Sequence, residues 1–186
     1  MKTSGSIINF GEEIGKKNKN LQKFLQFQLG KDRGLLLAEM VREIITVPEK
    51  EILPVPQMPE CVMGVYNWRS EMMWMIDLEN LLGYQSPFLY SSENLSLMTM
   101  IVELEGQFLG LVVQNVNDIV EYDLEEMSER SSEIFSRELL PFLQGYFTNE
   151  INKQMMLLLS VESIFDYPLW QVNDGEIIVD GEIEIS

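Results

Sequence analysis

Apolar and polar residues alternate along much of the chain with the two-residue period of β-strands. The segment FLQFQL, which starts at Phe24, alternates in this way, and GKDRG after it has the composition of a turn. The next segment, LLLAEMVREIITV, begins with an apolar run and contains the β-branched VREII, which is typical of strands. A helix over residues 35–45 is the competing interpretation of this segment. Four prolines between residues 48 and 59 then predict an irregular connection.

A hairpin and a short helix are predicted after this connection. VYNW and MMWMI, which follow Gly64, are typical of two hairpin arms joined around residues 69–71. Asp77 stands where it can cap a short helix over LENLLG, and Gly83 is a normal helix stop. The pattern therefore predicts strand, turn, strand and short helix in that order.

The second half of the chain repeats this plan. At a shift of 75 positions Leu29 matches Leu104 and Val41 matches Val116, and at a shift of 83 Glu79 matches Glu162. A second hairpin starts from a glycine at 145, with a loop about two residues longer than the first. We predict a mainly β fold made of two small, five-stranded, barrel-like (SH3-like) subdomains. Each subdomain ends in a short helix, and the two pack as one domain.

The ends of the chain differ from its body. Residues 1–20 are polar and aperiodic and are predicted to form a flexible N-terminal arm. Residues 21–166 are predicted to form the domain, with its subdomains interleaved around a shared core. Residues 167–186 form a tail whose last sixteen residues hold five acids and no base. Two Asp-Gly turns there fit a marginal hairpin or a Ca²⁺ loop, but the ligand series of an EF-hand is missing, so an acidic tail is the favoured interpretation.

Composition excludes several classes of function. The formal net charge is -17, which opposes binding to nucleic acid or to anionic membranes. The sequence holds no histidine, which excludes catalysis and metal sites that depend on histidine. Its single cysteine, Cys61, has no second thiol with which to share a metal, and the absence of a glycine-rich phosphate loop argues against nucleotide chemistry. We therefore expect no cofactor, no metal and no small-molecule substrate. Without a continuous apolar segment long enough for a span or a signal peptide, we expect a cytoplasmic protein that does not insert into membranes.

The stretch GVYNWRSEMMWMIDLENLLG, residues 64–83, resembles the chemotaxis coupling protein family CheW. The family run is commonly Gly, two hydrophobic residues, Asn-Leu-Arg-Gly, an apolar strand, an Asp and a short helix. Four residues fit this run: Gly64, Asn67, Arg69 and Asp77. Trp68 replaces the usual leucine and Ser70 the usual glycine. The likeness extends over about residues 21–166 and also covers the VREI strand, the proline-rich connection and the duplicated plan.

The resemblance implies a non-enzymatic adaptor in a two-component signal transduction system that controls motility. Its partners would be the regulatory domain of a CheA-type histidine kinase and the tip of a methyl-accepting chemoreceptor. The family's docking seam implicates six residues in partner binding: Val41, Glu43, Ile44, Val65, Asn67 and Arg69. Gly64 and Ser70 are expected to shape the turn.

Four questions stay open at this point. Arg69 suits a partner's carboxylate, but it also suits an internal acid such as Glu71. The methionine clusters around Met72 and Met155 suit core packing or an adaptable docking surface. As a whole, the chain could instead be a small-molecule sensor with a pocket at the seam between its lobes. A hydrolase built on two carboxylates is a third hypothesis, which the sequence neither locates nor excludes.

Overall fold

The computed structural model describes residues 20–88 and 95–167. The predicted arm and the acidic tail therefore lie almost entirely outside the described residues. The strands of the described part are Leu21–Leu29 (β1), Asp32–Leu37 (β2), Val41–Pro48 (β3), Val62–Trp68 (β4), Glu71–Asp77 (β5), Ser96–Leu104 (β6), Gln107–Val113 (β7), Val116–Asp123 (β8), Ser128–Glu129 (β9), Leu143–Thr148 (β10) and Met155–Leu159 (β11). The α-helices are Leu78–Leu81 (α1) and Val161–Phe165 (α2). Short 3₁₀ turns cover Ala38–Met40, Glu49–Glu51, Leu124–Glu126 and Leu140–Phe142.

The strands form two sheets. The first sheet has six strands in the order β8-β1-β2-β11-β10-β9, and the second has five in the order β3-β6-β7-β5-β4. The prediction of a mainly β fold with short helices is confirmed. Neither strand order closes into a full ring, although the isolated bridge between Leu53 and Val65 connects the segment after β3 to the opposite edge strand β4. The five-stranded sheet is therefore curled like an open barrel.

Each sheet takes strands from both halves of the chain. Strands β1, β2 and β3 begin at residues 21, 32 and 41, and β6, β7 and β8 begin 75 positions later at 96, 107 and 116. The hairpin β1–β2 lies in one sheet while β3, β4 and β5 of the same half lie in the other. Parallel pairing of β2 with β11 and of β5 with β7 joins the hairpins of different halves. The remaining strand pairs are antiparallel.

Three apolar clusters follow from this arrangement. The largest fills the seam between the sheets and draws on both of them, for example through Phe27 of β1 and Leu111 of β7. A second cluster, around Met73 and Met75, fills the concave side of the five-stranded sheet. A third cluster, around Phe24, packs against the six-stranded sheet. Burial of this apolar surface is the main force that holds the sheets together.

The structure resolves the local alternatives left by the sequence. The helix over residues 35–45 is wrong, because this segment forms the end of β2, one 3₁₀ turn and the start of β3. The predicted cap is confirmed, since the Asp77 carboxylate accepts the Asn80 N–H at 3.2 Å at the start of α1. Ser160 caps α2 in the same way, with the Ser163 N–H at 3.0 Å from its hydroxyl. Across the described ranges, no helix has the length and apolar character that crossing a membrane requires.

Candidate partner-docking surface

The corner between β4 and β5 is a two-residue turn. Trp68 lies opposite Glu71, and the two residues between them, Arg69 and Ser70, have φ angles of 51° and 71°. Positive φ at both central positions is the geometry of a type I′ turn, which matches the twist of the flanking strands. The Oδ1 atom of Asn67 accepts the Ser70 N–H at 3.1 Å and fixes the turn. Thus Asn67 and Ser70, both singled out from the sequence, hold the corner that presents Arg69.

Arg69 is held at this corner by two contacts and still faces solvent. Its Nη2 atom lies 2.8 Å from the Oε2 atom of Glu43, and its guanidinium carbon lies 4.7 Å from the centre of the Trp68 ring. The internal acid is therefore Glu43 on β3 rather than the expected Glu71. The Arg69 side chain is 68% exposed, so N–H donors of its guanidinium remain accessible to solvent. Strands β3 and β4 are the two edge strands of the sheet. The Arg69–Glu43 ion pair therefore connects the edge strand β3 to the hairpin at the other edge.

Strand β3 contributes the remaining predicted residues on this side. A bulge between Val41 and Glu43 interrupts the pairing with β6, and Val41 packs half-buried against the seam cluster. Ile44 is 43% exposed. Arg42, at the bulge, pairs with Glu103 at 2.8 Å. The structure thus brings Glu43 to Arg69 directly, and places Val41 and Ile44 on the same edge strand.

The outward face of the β4–β5 hairpin adds apolar surface to the predicted Val65, and it includes Met72, for which core packing and a docking surface were the two alternatives. Val65 lies opposite Trp74 in the pairing of β4 with β5, and it also bridges to Leu53. Asn67 lies opposite Met72 on the same face. Leu53 is 59% exposed and Met72 is 56% exposed. The alternation of EMMWMI was the available signal, because Met73 and Met75 are buried in one cluster and strand periodicity turns Met72 to the opposite face.

Behind the hairpin, a buried polar network ties α1 to the other sheet. Glu79 is 0% exposed, and its carboxylate accepts the Gly30 N–H at 2.8 Å and the Gln114 amide at 2.8 and 3.0 Å. Burial raises the pKa of Glu79 above its ordinary value of 4.5, and these hydrogen bonds offset part of that rise. Burial also raises the pKa of Asp77, whose carboxylate accepts the Ser86 hydroxyl. The network fixes the orientation of α1 and hence of the strand that leads from the corner.

Reactive groups are few in the described part of the chain. Cys61 is buried, and burial raises the pKa of its thiol to about 11, so it is protonated at neutral pH. Residues 20–88 and 95–167 contain no group of three or more His, Cys, Asp or Glu side chains placed to hold a metal ion.

Residues of the described ranges line at least two open clefts. One, of about 370 Å³, has Ile52, Asp77 and Phe88 among the described residues that line it, all of which belong to the first half. The other, of about 660 Å³, lies beside the start of β5 and the β6–β7 turn and reaches Phe165 at the end of α2. The seam between the sheets, where a sensor pocket was the alternative expectation, is occupied by the largest apolar cluster.

Known proteins share this sequence pattern and architecture. A family model described as the CheW-like domain matches residues 23–168. The crystal structure of the scaffolding protein TtCheW from Thermoanaerobacter tengcongensis superposes with a TM-score of 0.64, covering 84% of this chain and 97% of that chain at 22% identity. At this level of identity, the structural likeness shows a shared fold.

A relative in sequence is the chemotaxis protein CheW of Treponema pallidum (strain Nichols). It is 25% identical over 105 residues, which cover 56% of this chain and 61% of the relative. The match thus spans less than two thirds of that relative's length.

Proposed function

Because the chain belongs to the CheW-like domain family, we propose that it is an adaptor without enzymatic activity that couples a chemoreceptor to a CheA-type histidine kinase. The surface that would serve this coupling runs from the β4–β5 corner, with Arg69 and Asn67, to the edge strand β3. Val65 and the exposed Ile44 would contribute apolar contact. The named relatives, a chemotaxis protein and a scaffolding protein, support this role.

The observation that carries the proposal is the exposed guanidinium of Arg69. It is oriented by Glu43 and Trp68, so little side-chain freedom is lost when it binds. Arginine presents five N–H donors in a planar fork, which suits a carboxylate of a partner. The exposed apolar side chains near it would contribute the desolvated area that a stable interface also needs.

The test is the affinity of the purified chain for the regulatory domain of its cognate kinase. We expect Arg69→Glu to weaken this complex about 10- to 100-fold, as loss of an interface arginine typically does. The same change should lower the melting temperature by no more than about 4 °C, because an exposed ion pair contributes about 1 kcal/mol or less. Calorimetric titration and thermal unfolding measure the two quantities.

Lys153→Glu is the matched control for this substitution. Lys153 lies in the β10–β11 turn, the counterpart of the Arg69 corner in the second half, and the substitution changes the net charge by the same amount. It should leave the affinity unchanged. The charge exchange Arg69→Glu with Glu43→Arg restores the internal pair but not the partner contact, so affinity should stay low. No binding by the unmodified chain at tens of micromolar, or full recovery in the exchange variant, would contradict the proposal.

A further inference from the structure

The two halves of the duplicated fold differ at one joint, where the turn of the first hairpin meets the end of the short helix. In the first half Tyr84 fills this joint. Its ring lies so close to Gly30 that a Cβ atom there would be 2.6 Å from the Tyr84 Cδ1 atom, and its hydroxyl donates to Asp32 at 2.9 Å. Gly30 in turn donates its N–H to Glu79. The joint is closed by packing and hydrogen bonds.

In the second half the corresponding joint is open. Tyr167, which matches Tyr84, instead packs its ring against Phe142 at 5.2 Å. The counterpart of Phe142 in the first half is Cys61, which is too small to hold a tyrosine ring in this way. Glu105 stands where the first half has Gly30, so the close approach of a ring is blocked there. What remains at this joint is the cleft of about 660 Å³.

The lining of this cleft combines apolar and acidic groups. Met72, Trp74, Leu109 and Phe165 supply the apolar surface, and Met72 is more than half exposed. The carboxylates of Glu71, Glu105 and Asp166 also lie along it. An apolar surface edged by negative charge is complementary to a segment that carries both apolar side chains and lysines.

We propose that this cleft binds the chain's own N-terminal segment, residues 1–19. That segment contains four lysines and two glutamates, so its net charge is +2, and the remaining residues carry -17 minus +2, or -19. It also carries the apolar residues Ile7, Ile8 and Phe10. Nineteen residues extend to about 60 Å, which is enough to reach any face of a domain of this size. Attachment to β1 gives the segment a millimolar effective concentration at the cleft, so weak contacts suffice.

The proposal is independent of the role proposed for the Arg69 corner, although the two surfaces are neighbours. Glu71 and Met72 follow the corner directly, so the bound segment would lie beside Arg69. Its attraction to the cleft is electrostatic in part and should weaken with added salt.

The test uses the full chain with methyl-labelled methionines and a nitroxide attached at Asn9→Cys. Native Cys61 is buried and its thiol pKa is raised to about 11, so labelling near neutral pH is selective for the new cysteine. We expect the methyl signal of Met72, in the cleft, to be broadened by the nitroxide. Met155 is the matched control, because it holds the position in the closed joint that corresponds to Met72. Its signal should remain sharp.

Two sets of variants decide the outcome. Lys16→Glu with Lys17→Glu, or Phe10→Ser, should restore the Met72 signal while leaving the other methionine signals in place, which shows that the fold is intact. Equal broadening of Met72 and Met155, or no broadening of either, would overturn the proposal. So would equal broadening of Met72 in a mixture of chains that carry only the nitroxide with chains that carry only the labelled methionines, since the segment would then come from a second copy.

Discussion

Replacement of Gly64 by alanine is expected to destabilise the protein by about 3 kcal/mol or more, which corresponds to a fall in melting temperature of about 6–12 °C. Gly64 has a φ of 142°, and a Cβ atom there would overlap the Leu53 carbonyl oxygen and lie 2.7 Å from the carbonyl carbon. The Leu53–Val65 bridge, with hydrogen bonds of 2.8 and 2.9 Å, would have to open. Lost hydrogen bonds of about 1 kcal/mol each add to the backbone strain.

Gly106→Ala provides the control for this prediction. Gly106 also has a positive φ, of 80°, but nothing lies within 4 Å of the Cβ position. Only the conformational strain of about 1 kcal/mol should remain. Urea unfolding of the two variants measures both costs. Equal losses in the two variants would show that the approach of Leu53 to Gly64 does not matter for stability.

The second large effect is expected at Glu79. Glu79→Ala should lower the free energy of unfolding by about 3 kcal/mol, because it vacates a fully buried site and removes the charged acceptor of the half-buried Gly30 N–H and of the Gln114 amide. Glu79→Gln keeps an oxygen for the Gly30 N–H and should cost less. Thermal and urea unfolding of both variants at one pH give this ranking. If Glu79→Ala loses no more stability than a typical surface substitution does, the structural role of the carboxylate as a hydrogen-bond acceptor is contradicted.

The same residue predicts a pH dependence of definite sign. Burial raises the pKa of Glu79 above 4.5, so between 4.5 and the raised value the folded state binds more protons than the unfolded state. Stability from this group is therefore present at low pH and is lost as the pH rises through the folded pKa. The pKa of Asp77 is raised in the same direction. Because Asp77 is present in both the unmodified chain and the Glu79→Gln variant, its contribution to the pH dependence cancels when the two are compared. Relative to the unmodified chain, Glu79→Gln should gain stability as the pH rises from 4 to 7 in urea unfolding.

Much of the fold could be predicted from the sequence because strand periodicity and the internal repeat are local signals. The shift of 75 found in the sequence equals the spacing between the starts of three strand pairs in the structure, and the cap at Asp77 was readable from residue type and position. The helix alternative for residues 35–45 failed because β-sheet pairing overrode an ambiguous apolar run. The distribution of strands between sheets had no such signal, since a repeat shows which segments are equivalent and not which of them pair.

Pairings between distant residues were similarly invisible in the sequence. Arg69 lies 26 residues from Glu43, and the two meet only because the sheet curls. Glu79 looks like an exposed helix position from its residue type, yet it is buried because the β1–β2 turn approaches it from 49 residues away. The roles of Val41, Ile44 and Val65 in binding remain predictions.

The distribution of strands between the sheets has a consequence for synthesis on the ribosome. The β1–β2 hairpin emerges first, but its partner β11 begins only at Met155, near the end of the described chain. The edge of β2 must therefore stay unpaired until every other strand of the described chain has been translated. Such late, non-local pairing is expected to make folding slow, and it makes the nascent chain a natural client for chaperones.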